Sequence, residues 1–294
     1  MTAEQTAQTE SSGTSGKLQR WEEALGGLYR KFRDYADKAV KDFDDEDIHQ
    51  ARVNSRKLLT LLSILDPGHT SGLYPLFKKA QKRLGKVRDE DVLIEAFKLK
   101  RRDAKTQGDK ESAALLKAVI ESRKQKRKRY RKKLADKLPL LANEEMDAAW
   151  EDFIRTRLSA MVEKTDPNRV MRELEVAFEQ NKQRCKTLFR KENSPSAESF
   201  DALHKLRIAA KELRYTANAA SFALDQKFHA HEQLYKAVQS ELGEINDKRV
   251  WLETIEDIGP EELGAGKKAW ERLTGSLKAE IEEALRANTV VETG

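Results

Sequence analysis

The sequence of 294 residues has a single cysteine, Cys185, and contains no run of about 18 apolar residues. A single cysteine excludes an internal disulfide bond and a cysteine-rich zinc site. The lack of a long apolar run excludes a transmembrane helix, and residues 1–16 lack the basic and apolar regions of a signal peptide. We therefore expect a cytoplasmic protein without a membrane span.

Residues that interrupt helices are also scarce, since there are only 6 prolines and 14 glycines. Aromatic residues make up 7% of the chain, whereas charged residues make up 36%. No segment alternates between apolar and polar residues over a length that would suit a strand. This composition predicts an all-α protein of long, charged amphipathic helices. The net charge of +6 is small, so the positions of the cations matter more than their number.

One segment, IHQARVNSRKLL at 48–59, places a histidine and several basic residues on one face of a predicted helix. His49, Arg52 and Arg56 are spaced at i, i+3 and i+7, and Lys57 lies at the margin of this stripe. A single stripe of this kind is usually a solvated helix face. The interpretation therefore depends on whether the pattern recurs.

The same spacing recurs in the segment LHKLRIAAKELRY at 203–215. His204, Arg207 and Lys211 repeat the positions of the first stripe, and Arg214 extends the second one by almost a turn. A basic stripe headed by a histidine is therefore present twice. The recurrence favours a shared role over a chance surface pattern.

A second pair of matching segments follows the two stripes. LGKVRDEDVL at 84–93 matches LGEINDKRVW at 242–251 in Leu, Gly, Asp and Val. A lysine, Lys78 or Lys236, precedes each glycine by seven residues. A glycine inside a helix is unfavourable, so each of these glycines predicts the close approach of another helix. Matching elements in the same order indicate an internal duplication.

Apolar periodicity along the chain predicts a series of long helices. The predicted helices span 18–42, 46–65, 74–100, 109–138, 144–164, 167–191, 197–223, 228–257 and 261–288. The segments NSPS at 193–196 and IGPEE at 258–262 mark two of the joints between them.

The helical map and the duplication together predict the domain organisation. The predicted parts are a disordered tail at 1–16, a helical bundle at 17–140, a connecting helix at 141–165 and a second helical bundle at 166–294. Two antiparallel four-helix bundles related by a pseudo-twofold axis are the packing that we expect.

Basic side chains that converge on one face repel each other, so an anionic ligand is the simplest reason for bringing them together. Arginine binds phosphate through bidentate hydrogen bonds, and lysine acts as a mobile point charge. Two stripes that faced each other across the duplication would line one basic channel. Such a channel would suit an extended polyanion better than a compact mononucleotide.

The four quoted segments closely resemble the CHAD family, the conserved histidine α-helical domain, and the resemblance covers the chain from residue 18 onwards. It implies a pair of four-helix bundles with a basic central channel that binds inorganic polyphosphate, and an association with polyphosphate granules. The contacts that it implies are His49, Arg52, Arg56, Lys57, Lys78, His204, Arg207, Lys211, Arg214 and Lys236. Lys82 and Arg88, which flank the first glycine motif, complete the predicted contacts around it.

The chain departs from the family pattern at two positions. Leu59 stands where the family often has an arginine ten residues after the first histidine, and Glu212 of the second stripe matches Lys57 of the first. Both departures weaken the expected charge of the channel. Some family members are fused to a triphosphate tunnel domain with an ExExK strand. The sequence contains no such strand, so we expect the module to stand alone.

The densest basic run, RKQKRKRYRKK at 123–133, keeps another interpretation open. Such a run is typical of a solvated helix face, but Arg127 and Tyr130 are candidates for the rim of the channel. Basic patches also bind nucleic acid without sequence preference, so a general nucleic-acid-binding protein is the alternative function. The few aromatic residues and the lack of a nucleic-acid-binding motif disfavour it.

The sequence predicts neither a catalytic site nor a cofactor. It contains no glycine-rich phosphate loop, no nucleophile elbow and no convincing group of metal-binding carboxylates, so we expect no metal site. We therefore expect a binding protein and not an enzyme, with inorganic polyphosphate as its partner and other polyanions as further ligands. A polyphosphate-processing enzyme is the remaining alternative.

Overall fold

All regular secondary structure is helical in a computed structural model of the chain, over the residues that it describes, 3–191, 196–230, 232–264 and 266–288. This confirms the predicted all-α fold. The helices are α1 (Ala3–Lys41), α2 (Asp45–Leu65), α3 (Leu73–Thr106), α4 (Lys110–Lys137), α5 (Glu144–Thr156), α6 (Leu158–Lys164), α7 (Pro167–Lys191), α8 (Ala197–Ala219), α9 (Gln226–Ala230), α10 (Glu232–Glu262) and α11 (Lys267–Arg286). In the part of the chain described, no helix has the length and apolar character needed to cross a bilayer.

The helix boundaries differ from the predicted ones at several places, among them the following three. The first helix begins at Ala3 and not at residue 18. The predicted connecting helix is interrupted at Arg157, which ends α5 and precedes α6. Helix α10 continues to Glu262 through a bend at Gly259, whose φ of 77° is accessible to glycine at little cost. Residues 193–195 of the predicted joint lie outside the described residues.

The helix that carries the first histidine, α2, is fixed at both ends by aspartates. The Asp44 carboxylate accepts a hydrogen bond from the backbone N–H of Glu46 at 2.9 Å and caps the N-terminus. Beyond the C-terminus, the Asp66 carboxylate accepts from the backbone N–H groups of Thr70 and Ser71, both at 2.8 Å. Burial opposes the ionisation of Asp66, but these hydrogen bonds outweigh it and lower its pKa. The first stripe is therefore carried by a helix with well-defined ends.

The chain divides into two compact units, each assembled from separate segments. Unit 1 comprises Met1–Arg88, Arg129–Arg172 and Tyr215–Ala230, and unit 2 comprises Asp89–Lys128, Glu173–Arg214 and His231–Gly294. Helices α3, α4, α7 and α8 contribute residues to both units. The first stripe belongs to unit 1 and the second stripe belongs to unit 2. The boundaries predicted at residues 16, 140 and 165 stay predictions.

Aromatic side chains form much of the core of unit 1. Trp21, Phe32 and Phe77 are fully buried. Tyr29 of α1 stacks on Trp150 of α5, with ring centroids 4.3 Å apart and an interplanar angle of 5°. Each large apolar side chain stabilises the fold by about 1.5–3 kcal/mol when it is buried. This cluster therefore holds α1, α3 and α5 together.

Aliphatic side chains contribute more to the core of unit 2. Leu213 of α8, Ile255 of α10 and Leu277 of α11 are fully buried. An ion pair between Lys100 of α3 and Glu280 of α11, at 2.9 Å, adds a polar contact to this packing. The buried face of α8 fixes the helix that carries the second stripe.

Candidate functional site

The first stripe lies beside the buried face of α2. Ile48 and Leu58, which belong to that face, are fully buried in the core of unit 1. The stripe residues are all half-buried, namely His49, Arg52, Arg56 and Lys57. The core thus anchors the backbone of α2 while the stripe keeps contact with solvent.

The surroundings of His49 are cationic. Burial lowers the pKa of His49 from its ordinary value of 6.5, and the positive charges of Arg88 and Arg52 lower it further. Glu46, three residues earlier on α2, acts in the opposite direction. The Nδ1 atom of His49 is buried and has no hydrogen-bond partner among the residues that the structure describes. The neutral imidazole is therefore favoured unless an anion binds beside it.

A glycine positions Arg52 against α3. The Nε atom of Arg52 lies 3.4 Å from the position that a Cβ atom would take at Gly85. Gly85 is buried, so a side chain larger than alanine would meet the guanidinium. The predicted close approach is confirmed here. For Gly243 it is wrong, because among the described residues no atom outside the backbone of its own helix and its chain neighbours lies within 4 Å of its Cβ position.

Arg56 stacks on an aromatic ring. Its guanidinium carbon is 4.6 Å from the centroid of the Tyr215 ring, which is a cation–π contact. This contact orients the planar guanidinium and leaves its charge without a carboxylate. Arg56 forms no ion pair with any residue that the structure describes.

The other predicted contacts of unit 1 lie on α3 and α4. Lys78 and Lys82 are exposed, whereas Arg88 and Tyr130 are half-buried. Lys78, Lys82 and Arg88 form no ion pair within the described ranges. Unit 1 therefore brings Arg52 and Arg88 close to His49, and Lys78 and Lys82 on α3 carry charges that pair with no described carboxylate.

The second stripe has a more open arrangement on α8. His204 is exposed and Arg207 is half-buried, and both line a small cleft with Asn246 and Arg249 of α10. Arg249 donates a hydrogen bond to Asn246 at 3.4 Å and forms an ion pair with Glu253. Unit 2 thus places an arginine of the glycine-motif helix in the same cleft as its histidine.

Sequence reasoning missed Arg249. In the matched glycine motifs, Asn246 takes the position of Arg88, and Arg249 takes the position of Asp91. The arginine is thus displaced by three residues, which is close to one helical turn and keeps it on nearly the same face. This displacement is the signal in the sequence that could have identified it.

The remaining residues of the second stripe differ in exposure. Lys211 and Arg214 are half-buried, and Lys236 is exposed. The Nη1 atom of Arg214 donates a hydrogen bond to the side-chain oxygen of Gln239 at 3.0 Å. Because Gln239 is neutral, this bond orients the guanidinium without cancelling its charge.

Arg127, a predicted rim residue, is held by a buried carboxylate. Its Nη1 atom is 2.9 Å from Oδ1 of Asp91, whose side chain is 1% exposed. The neighbouring Glu90 is also buried and lies 3.4 Å from Lys126 and 3.9 Å from Arg123. Burial raises the pKa of Glu90, and the two positive charges oppose that rise. The sequence analysis missed both carboxylates, which neutralise part of the densest basic run.

Two features bear on metal binding and on thiol chemistry in the described residues. No group of three or more His, Cys, Asp or Glu side chains there could hold a metal ion. Cys185 is buried, and burial raises the pKa of its thiol to about 11. The thiol is therefore protonated at neutral pH and is a poor nucleophile.

Comparison with known proteins identifies similar sequences and folds. The CHAD domain family model matches residues 23–256. The chain is similar to the crystal structure of the CHAD domain from the plant Ricinus communis, with a TM-score of 0.61 and 20% identity over 93% of this chain and 92% of that one. It is also similar to PptA from Streptomyces chartreusis, with a TM-score of 0.57 and 15% identity over 92% of this chain and 99% of that one. No curated protein matches the chain.

Proposed function

Because the chain belongs to the CHAD domain family over residues 23–256, we propose that it binds inorganic polyphosphate without chemically altering it. The family is linked to polyphosphate binding, and the resemblance of the matching segments supports the same function for this chain. We further propose that binding directs the protein to polyphosphate granules.

The observation that best supports this proposal is the cationic cluster around His49. Two helices, α2 and α3, bring Arg52 and Arg88 to a half-buried histidine, and their charges lower its pKa. Such an arrangement is unfavourable in the free protein because like charges repel. A phosphate group would reverse that effect by accepting hydrogen bonds from guanidinium groups and from the imidazolium.

The number of cations along α2 and α3 favours an extended ligand over a single phosphate. Arg56 and Lys57 extend the cluster along α2, and Lys78 extends it along α3. A single phosphate would contact only a few of these residues at a time. A linear chain of phosphates presents a charge at every repeat, so it can contact them all and release many bound counterions.

The nucleic-acid alternative relies on the basic run of α4, and much of that run is already neutralised. Arg123 and Lys126 approach Glu90, and Arg127 pairs with Asp91. These ion pairs reduce the positive potential that a phosphodiester backbone would meet. We therefore place nucleic acid below polyphosphate as the ligand.

A competition experiment tests the proposal. Fluorescently labelled long-chain polyphosphate is bound to the full chain and challenged with single-stranded RNA or DNA at equal phosphate concentration. We expect little displacement by nucleic acid and full displacement by unlabelled polyphosphate. Ready displacement by RNA or DNA would favour the alternative function.

A parallel assay tests the non-catalytic part of the proposal. The protein is incubated with polyphosphate and Mg²⁺ or Mn²⁺, and released phosphate is measured over time. We expect no release above that of a protein-free control. Steady release in proportion to protein concentration would establish a polyphosphate-processing enzyme.

A further inference from the structure

A cavity beside α3 forms a second cationic site in unit 1. Its volume is about 440 Å³, which is within the range of about 300–1,000 Å³ typical of small-molecule sites. Five of its lining residues are basic: Lys79, Lys82, Arg83, Lys86 and Lys137. Leu140 and Leu141, which follow α4, complete the lining.

The basic residues of the cavity lie on a different face of α3 from Gly85, the residue that Arg52 contacts. Lys79, Arg83 and Lys86 are spaced at i, i+4 and i+7, so they share one face of α3. Gly85, the residue that faces Arg52, points about 100° away from Lys86 on the same helix. Lys82 lies between these two faces. Lys82 lines the cavity and is also a predicted polyphosphate contact, so the cavity and the cluster around His49 lie on neighbouring faces of α3 that share one lysine.

The five basic residues of the cavity form no ion pair with any residue in the described ranges. Elsewhere in unit 1, Arg33 pairs with Asp147 and Arg131 pairs with Asp45. Carboxylates are thus used to neutralise other arginines of this unit. Cations gathered around a concave surface without carboxylates repel each other, and an anionic ligand would relieve that repulsion.

The cavity also has an apolar side. Leu140 is 64% exposed, which is unusual for a large apolar side chain. The backbone N–H of Leu141 donates to the carbonyl of Leu138 at 2.9 Å, and this turn presents the leucines beside α3. The ammonium of Lys86 lies 5.5 Å from the ring centroid of Tyr130, a cation–π contact that orients this lysine. A purely ionic ligand would leave Leu140 in contact with water.

We propose that this cavity binds an organic triphosphate, the chemical class to which nucleoside triphosphates belong. The phosphates would contact Lys79, Arg83 and Lys86, and the flat organic part would cover Leu140. A compact triphosphate concentrates several negative charges within the length of this face, and its ring removes apolar surface from water. The site is independent of the proposed polyphosphate function.

Titration calorimetry of the full chain with ATP in metal-free buffer tests the site. The variant Lys79→Gln, Arg83→Gln, Lys86→Gln should bind ATP at least about tenfold more weakly than wild type. A matched control removes three exposed cations of unit 1 elsewhere, Lys31→Gln, Lys41→Gln and Lys164→Gln, and should bind ATP like wild type. Equal losses in the two variants would overturn the site, because they would indicate diffuse electrostatic attraction.

Two further arms test the ligand class and the separation of the sites. Leu140→Ser should weaken ATP but not inorganic tripolyphosphate, and an unchanged ATP affinity would overturn the organic part of the proposal. Arg52→Ala with Arg56→Ala should leave ATP binding intact, and its loss would overturn the separate site. Failure of long polyphosphate to bind wild type, with ATP binding intact, would overturn only the proposed function.

The melting temperature of the ligand-free protein gives a readout that does not depend on binding. Because removal of cavity cations relieves repulsion, the Lys79, Arg83, Lys86 variant should melt at or above the wild-type temperature. ATP should raise the melting temperature of wild type and not that of the variant. A variant that melts lower and still responds to ATP would contradict the proposal.

Discussion

The two matching histidine stripes, the first copy in unit 1 and the second copy in unit 2, differ in the packing around the histidine. In unit 1, His49 is half-buried, and the guanidinium of Arg52 packs against Gly85. In unit 2, His204 is exposed, and Gly243 has open space at its Cβ position within the described residues. In both copies an arginine of the glycine-motif helix lies on the same side as the histidine: Arg88 acts on His49, and Arg249 lines a cleft with His204.

The guanidinium comes from different positions in the two motifs. Arg88 supplies it in the first copy, and Arg249 supplies it in the second, about one helical turn further along. The position matching Arg249 in the first copy is Asp91, which forms a buried ion pair with Arg127. Both copies thus have an arginine near the histidine, but Arg249 pairs with Glu253, whereas Arg88 forms no ion pair within the described residues.

Removal of the stripe cations in each copy is expected to have the largest effect on polyphosphate affinity. The variants are Arg52→Ala with Arg56→Ala, and separately Arg207→Ala with Lys211→Ala. Each charge-assisted hydrogen bond to phosphate has a gross value of roughly 1.5–3 kcal/mol, so each pair should lower polyphosphate affinity by at least about tenfold. The salt dependence of binding should also flatten, because fewer counterions are released. Fluorescence anisotropy over a salt series measures both.

Matched controls separate these contacts from a general loss of charge. Lys31→Ala with Lys41→Ala in unit 1 and Lys267→Ala with Lys268→Ala in unit 2 remove exposed cations away from the stripes. We expect these controls to bind like wild type and the stripe variants to keep or raise the melting temperature. Wild-type binding by one of the two stripe variants would show that only the other copy contacts the ligand.

The ion pairs formed at the matched positions Asp91 and Arg249 should contribute differently to the free energy of unfolding. Arg127→Ala should lower the free energy of unfolding by about 1–3 kcal/mol, because it removes the guanidinium that neutralises a buried carboxylate. Arg249→Ala should cost less than about 0.5 kcal/mol, since its pair with Glu253 is partly exposed and lies within one helix. Urea unfolding followed by circular dichroism measures both values. Equal losses would contradict the structural difference between the copies.

The two motif glycines should respond differently to a larger side chain. Gly85→Leu should lower polyphosphate affinity severalfold, because the new side chain displaces the guanidinium of Arg52. Gly243→Leu should leave affinity unchanged, because its Cβ position is open within the described residues. Helicity by circular dichroism checks that both variants fold. Loss of affinity in both, with intact helicity, would contradict the distinction between the glycines.

The smallest expected effect concerns pH. The folded protein lowers the pKa of His49, so the unfolded chain binds more protons as pH falls below about 6.5, and the ligand-free fold loses stability there. His49→Gln should make this loss shallower. Phosphate favours the imidazolium, so polyphosphate should bind wild type more tightly at lower pH, and His49→Gln should weaken that trend. Identical pH profiles in both proteins would contradict this role of His49.

Local signals made parts of the fold predictable from the sequence. The observed bounds of α2, Asp45–Leu65, lie within one residue of the predicted ones, since Asp44 caps its start and Pro67 and Gly68 stop a helix after its end. The break between α5 and α6 at Arg157 has no such signal and was missed. The extension of α10 past Gly259 was also missed, because a glycine followed by Pro260 was interpreted as a terminus.

The stripes were predictable because helical spacing alone places their residues on one face. Contacts between helices were less predictable. The packing of Arg52 against Gly85 followed from the cost of a helical glycine, but the same reasoning was wrong for Gly243. The ion pair of Arg127 with Asp91 and the cavity of Lys79 and Arg83 depend on which faces of α3 and α4 meet their neighbours, and periodicity does not specify that.

The prediction that both stripes serve one polyphosphate chain is tested most directly by binding stoichiometry. Titration calorimetry with long polyphosphate of uniform length is performed on wild type and on the two stripe variants. A shared site predicts that each variant keeps the wild-type number of bound chains per protein and loses affinity. Two independent sites would instead give each variant half the wild-type stoichiometry with an unchanged affinity at the remaining site, and that result would contradict the account.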